Sequence, residues 1–273
     1  MALTSPNRRP VKALPWRARR AFSWVGGWFA AVSFAVMPTS AHAMSMAVQR
    51  VDTAAPVVAL TFDACPTRPS PAGFDRDVFE ILRREAVPAT VFVSGQWVKS
   101  HPQEARLLAA EPLIEFGNHS FAHPPLSRIS AARLRSEIAE TDRMITALGR
   151  KSIGIRPPFG DWAPEVLQEI QPMPLVLWDV VSGDAGGHVP AARMVDDVTR
   201  RTRAGSIVIF HINGRGPETK AALPEIIRRL RARGLRFVPV SELLALPDAA
   251  VVPALPGRDS YAKRPYYPEF ECD

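Results

Sequence analysis

Val57-Val58-Ala59-Leu60-Thr61-Phe62-Asp63 is a β-branched, uncharged run that ends abruptly in a carboxylate. A run of this length, apolar at nearly every position, reads as a strand buried on both faces, as in a parallel sheet. Working outward, comparable runs recur at 89–94, 113–117, 152–156, 175–179, 206–210 and 235–238, which makes seven strands. Between them, 75–85, 130–148, 191–203 and 218–233 carry helical periodicity, the second bracketed by Ser130 and Gly149 as caps. The alternation predicts an α/β fold, a closed or nearly closed and distorted (β/α) barrel of about seven parallel strands; an open doubly wound sheet gives a similar string.

In both architectures chemistry gathers at the carboxyl ends of the strands. Asp63 follows the first strand, His119 and His123 the third, Arg156 closes the fourth, Asp179 and Asp184 follow the fifth, and His211 the sixth. These groups are expected to converge on one mouth.

The flanks read differently. Arg8 through Arg20 form a basic start, an apolar stretch follows, and Ala41-His42-Ala43 offers a small-residue cleavage site, so 1–43 reads as an export leader. Arg19-Arg20 also suits a twin-arginine signal, with ordinary secretion the alternative. The apolar stretch is too short for a membrane-spanning anchor, so no stable span is expected once the leader is removed. This segment carries six of the 34 basic residues and none of the 27 acidic ones. The remainder is therefore close to neutral, and the basic composition gives no reason to expect nucleic-acid binding. Residues 44–246 suit one catalytic domain, and 247–273, proline-rich and without apolar period, an irregular tail. Cys65 lies beside the expected site and Cys272 in the tail, and export would allow a disulfide between them.

His119 and His123, four residues apart, can aim two imidazoles at a common point, and Pro124 keeps the segment from growing into a long helix. Taken with Thr61-Phe62-Asp63, Arg156-Pro157-Pro158-Phe159-Gly160, Trp178-Asp179 and Ile209-Phe210-His211, this pair resembles the polysaccharide deacetylase (NodB-homology) family in type, order and spacing. The resemblance implies a metal-dependent hydrolase that removes N-acetyl groups from a polysaccharide, with a divalent metal, zinc the first expectation, and the leader would export it. It implies His119 and His123 as metal ligands and Asp63 as the base that takes the attacking water's proton. His211 would be the acid for the leaving amine and Arg156 the group that orients Asp63. The oxyanion donor would lie in 158–160. Pro157 and Pro158 lack an N–H, which leaves Phe159, with Gly160 beside it. Trp162, in the turn after Gly160, is the candidate sugar platform.

Two positions depart from the family pattern. Ala64 stands where relatives carry a second aspartate, the third metal ligand, leaving Asp63, Asp75, another loop carboxylate or a water to fill the role. Cys65 is not expected to do so. Asp184-Ala185 stands where relatives show Asp-Trp, and Asp184 is the choice for the carboxylate holding His211, with Asp179 the alternative. Two other functions share these residues: a metal-free glycan-binding module, and an O-acetyl or small-amide hydrolase. The oligomeric state is not legible.

Overall fold

The computed structural model describes residues 46–66, 73–186 and 189–256, so the leader and the end of the tail, Cys272 included, lie outside the described residues. In chain order the elements are β1 (Ala47–Asp52), β2 (Val57–Ala64), α1 (Arg76–Arg84), β3 (Ala89–Val93), α2 (Gly95–Ser100) and α3 (Pro102–Ala110). Next come β4 (Ile114–Asn118), α4 (Ala131–Ala147), β5 (Ser152–Ile155), α5 (Pro164–Ile170), β6 (Leu175–Val176) and β7 (Val180–Val181). α6 (Ala191–Arg201), β8 (Ile207–His211), α7 (Thr219–Ala232), β9 (Arg236–Phe237), α8 (Val240–Leu244) and β10 (Ala250–Pro253) complete the chain.

The strands form one sheet in the order β10-β1-β6-β5-β4-β3-β2-β8-β7, with β9 added to β2. Every pairing is parallel except β1 with β10. Only three residues separate β6, near one end of this order, from β7 at the other, so a short link of chain joins the two arms of the sheet.

β2 shows how sequence builds this. All eight of its residues are buried, and successive side chains face opposite ways. Val58, Leu60, Phe62 and Ala64 join the apolar layer beneath α1, α2, α3, α6 and α7. Val57 and Ala59 join a second layer that includes Phe92, Ile155, Leu175 and Ile209, and the same alternation puts Thr61 and Asp63 on that second side. β8 repeats the arrangement in register, with Phe62 opposite Phe210 and Asp63 opposite His211. The strand that reads most plainly in sequence thus delivers its terminal carboxylate to the same face as the histidine of its neighbour.

The seven expected strands are all present, with three differences. The fifth is broken by Leu177-Trp178-Asp179 into β6 and β7. β1 was not anticipated. The tail begins as structure, because β10 pairs with β1 from Ala250 to Pro253, so the irregular segment expected from 247 contributes an edge strand. Pro253 is tolerated there because an edge strand can spare a donor. Ser130 caps α4 as expected, its side chain accepting from the Arg133 N–H, and Gly149 follows with φ 76°. Among the described residues no helix is long and apolar enough to cross a membrane.

Gly117 of β4 faces the Phe92 ring so closely that a Cβ there would lie 2.3 Å from it. Gly117→Ala is therefore expected to lower unfolding free energy by about 1–3 kcal/mol through overpacking. A urea-denaturation midpoint equal to wild type would refute that packing.

Candidate active site

Arg156 occupies the centre. The side chain is fully buried, and its Nη1 donates to Asp63 Oδ1 at 2.8 Å. Its Nε and Nη2 donate to the Val176 and Leu177 carbonyls, each at 3.2 Å. The guanidinium carbon stands 4.1 Å from the Phe92 ring centroid and 5.3 Å from that of Trp178. Burial opposes ionisation of Asp63. The Arg156 guanidinium, by its charge and its hydrogen bond, leads the influences that outweigh burial and hold the carboxyl below its ordinary value. Asp63 is consequently ionised at neutral pH.

The Arg156 carbonyl accepts from His119 Nδ1 at 2.8 Å. A carbonyl only accepts, so His119 carries its proton on Nδ1 and its lone pair on Nε2. Burial first, with His123 and Arg156 adding to it and Asp63 opposing, lowers the His119 pKa to about 4, so this ring stays neutral. Its Nε2 lies 3.5 Å from Asp63 Oδ2 and 3.2 Å from His123 Nε2. Two ring nitrogens bound to one tetrahedral zinc stand roughly 3.3 Å apart, given bonds of about 2.0–2.1 Å. His123 is buried, and its Nδ1 has no hydrogen-bond partner. Whichever tautomer it adopts, one buried nitrogen stays unmatched. Two facing Nε2 atoms at ligand spacing with an orphaned ring nitrogen fit a divalent cation, the group the sequence implied. Among the described residues one cluster has the donors for such an ion: Cys65, His119 and His123, all buried, with ligand atoms within 4.8 Å of one another.

The loop carrying these histidines is held from below. Asn118 Oδ1 accepts from the Ser120 N–H, and its Nδ2 donates to the Ile138 carbonyl and to Asp142. Glu137 of α4 accepts from the Phe121 and Ala122 N–H groups at 2.9 and 2.7 Å. Ser120, His123 and Phe159 all have φ near 61°. Left-handed backbone at non-glycine residues costs on the order of 1–3 kcal/mol each and persists only where surroundings impose it. Neither Asn118 nor Glu137 was anticipated. Glu137 reads in sequence as one more charge on an amphipathic helix, and the only available signal was its place on the apolar side of α4.

His211 ends β8. Its Nδ1 and Asp184 Oδ1 are 2.9 Å apart, and Asp184 Oδ2 accepts from the His211 N–H at 2.6 Å. Asp179 is placed elsewhere, its carboxylate accepting from the Ser206 hydroxyl and the Ile207 N–H. Asp75 precedes α1 and accepts from the Gly214 N–H at 3.0 Å, with its pKa raised by burial.

In the turn after Arg156, the Gly160 and Asp161 N–H groups donate to the Pro157 and Pro158 carbonyls. Among the described residues no acceptor takes the Phe159 N–H. The Phe159 ring meets His123 edge-on, centroids 4.7 Å apart. Asp161 accepts from the Ser127 N–H and hydroxyl, tying this turn to its neighbour. Trp162 corrects an expectation. It is not an exposed platform: it is 4% exposed and packs in the layer with Ile155 and Val166, because the turn after Gly160 runs back into α5.

A family model for polysaccharide deacetylases matches residues 50–178. The chain is similar to a chitooligosaccharide deacetylase of Sinorhizobium fredii, 34% identical over 203 residues that cover 68% of this chain and 91% of that one. Among solved structures it is similar to the Bc1960 peptidoglycan N-acetylglucosamine deacetylase, with 28% identity, a TM-score of 0.66 and coverage of 71% of this chain and 91% of that one. It is also similar to BA3943 of Bacillus anthracis, described as a CE4 family pseudoenzyme, with 28% identity, a TM-score of 0.65 and coverage of 72% and 68%.

Glu137→Ala would strip two backbone donors of their partner. It is expected to cost about 1–3 kcal/mol of unfolding free energy and to shift the imidazole resonances of His119 and His123. Unchanged stability and spectra would show that the loop holds without it.

Proposed function

The chain belongs to the polysaccharide deacetylase family, and from that premise we propose that it removes acetyl groups from N-acetylated amino sugars of an envelope or extracellular polysaccharide, with the aid of a divalent metal. The observation that carries this reading is the meeting of the Arg156–Asp63 pair with two facing imidazoles and the His211–Asp184 pair. The export leader expected at 1–43 would place this chemistry where such polymers lie.

His119 and His123 would hold the metal, zinc by the nature of the donors. When bound it supplies Lewis acidity toward the acetamide carbonyl and acidifies water. Asp63 takes the proton of the attacking water on Oδ2, the oxygen that Arg156 leaves open. Arg156 keeps that carboxylate ionised and in place. As the water oxygen bonds to the carbonyl carbon, the Phe159 N–H is available to the oxygen that gains charge. The carbon–nitrogen bond then breaks, and His211 gives its proton to the departing amine, with Asp184 holding the ring through Nδ1 so that Nε2 faces the leaving group. The products are acetate and a free amino sugar.

A second reading, glycan binding without turnover, draws on Ala64 in place of the family's second aspartate and on the similarity to a pseudoenzyme. Acetate release from acetylated chito-oligosaccharides, measured beside metal content, separates the two. Stoichiometric metal and chelator-sensitive release support hydrolysis; a metal-free protein that binds the glycan and releases nothing supports binding alone. His119→Ala is expected to abolish metal and turnover together. Asp63→Asn should keep most of the metal and lose roughly 10²–10⁴-fold in rate. Loss of the metal in Asp63→Asn would instead make Asp63 a ligand.

The pair also sets a pH dependence. Without the guanidinium, the leading opposition to burial is gone and the Asp63 pKa rises, so Arg156→Met should move the acid limb of kcat/KM to higher pH, with Arg156→Lys in between. An acid limb that stays in place in both variants would show that Arg156 does not control the ionisation of Asp63.

A further inference from the structure

We propose that the Cys65 thiolate is the third protein ligand of this metal, and that it makes the centre thiophilic. The inference rests on the metal-dependent reading above and names the donor that Ala64 leaves missing.

Strand geometry comes first. Ala64 is buried in the helix-side layer with Phe62, so its Cβ points away from the face that carries Asp63. The next residue turns back to that face, since positions i and i+2 share a side. Cys65 is fully buried, and its sulfur lies within 4.8 Å of ligand nitrogens on both histidines. The segment is anchored on either side. The Asp63 carbonyl accepts from the Ile212 N–H at 3.0 Å, and the Ala64 carbonyl from the Ser94 N–H at 2.9 Å.

A buried donor faces the sulfur. Asn213, 1% exposed, donates from Nδ2 to the Cys65 carbonyl at 2.8 Å and to Sγ at 3.3 Å. That N–H is placed as an outer hydrogen bond to a metal-bound sulfur, and metal binding would displace the thiol proton to solvent. One thiolate with two neutral imidazoles carries the same charge as one carboxylate with two imidazoles. The change is one of softness, which favours zinc or cobalt(II) over magnesium or manganese(II). Asp75 is engaged by the Gly214 N–H, and Asp63, held by Arg156 through Oδ1, keeps Oδ2 for the proton of the attacking water.

The test is cobalt(II) substitution of the full-length protein, purified under reducing conditions and titrated with cobalt(II) alone. Wild type is expected to bind one equivalent and to show a thiolate-to-cobalt charge-transfer band in the near ultraviolet. Cys65→Ser and Cys65→Ala, checked for folding by circular dichroism, should lose the band and bind zinc more weakly by over about 100-fold, beyond the loss of an outer-shell partner. One equivalent of cobalt without the band, or a band that survives both substitutions, overturns the ligand assignment and leaves the metal-dependent reading standing. Wild type that binds no cobalt overturns both.

Discussion

The buried ion pair between Arg156 and Asp63 is the constraint on which the site depends. Taking a guanidinium and a carboxylate out of water costs several kcal/mol per ion unless geometry and further hydrogen bonds compensate. Here they do: Arg156 has Asp63 on one nitrogen, the Val176 and Leu177 carbonyls on the others, and the Phe92 ring against its plane. One side chain thereby joins β2 to the interrupted strand opposite, while the backbone of the same residue orients His119. The proposed base and a proposed metal ligand are therefore positioned by a single residue, and neither can drift without disturbing the other.

This arrangement explains why the strain collects where it does. Ser120, His123 and Phe159 hold left-handed backbone around the pair. Asn118, Glu137 and Asp161 supply buried acceptors that fix those turns. Hydrogen bonds to these side chains offset the cost of the unfavourable φ values.

Much of this was legible in the chain. Runs such as 57–62 and 206–210 are apolar because both their faces are covered, and a polar residue directly after such a run marks a strand end. That logic located Asp63, His119, Arg156 and His211. It failed where the signal is not local. β10 is a short edge strand and β1 its inner neighbour, and both gain their identity from pairing with distant segments. Trp162 follows a Gly-Asp turn, which reads as exposed, but the chain re-enters the core there. The nearness of the Cys65 sulfur to both histidines is likewise not local, since it depends on the strand face shared with Asp63 two residues back. Glu137 gave no sign of its role, because a carboxylate that caps a distant loop looks in sequence like one that faces water.

Asp63 and His211 are ladder partners on adjacent strands. Their separation is therefore set by the interstrand repeat of the sheet and not by the conformation of any loop. Insertions and composition changes in the segments that surround the mouth can alter which polymer is admitted while the spacing of Asp63 and His211, the proposed base and acid, stays the same. In a scaffold of this kind, substrate range can evolve independently of catalytic geometry.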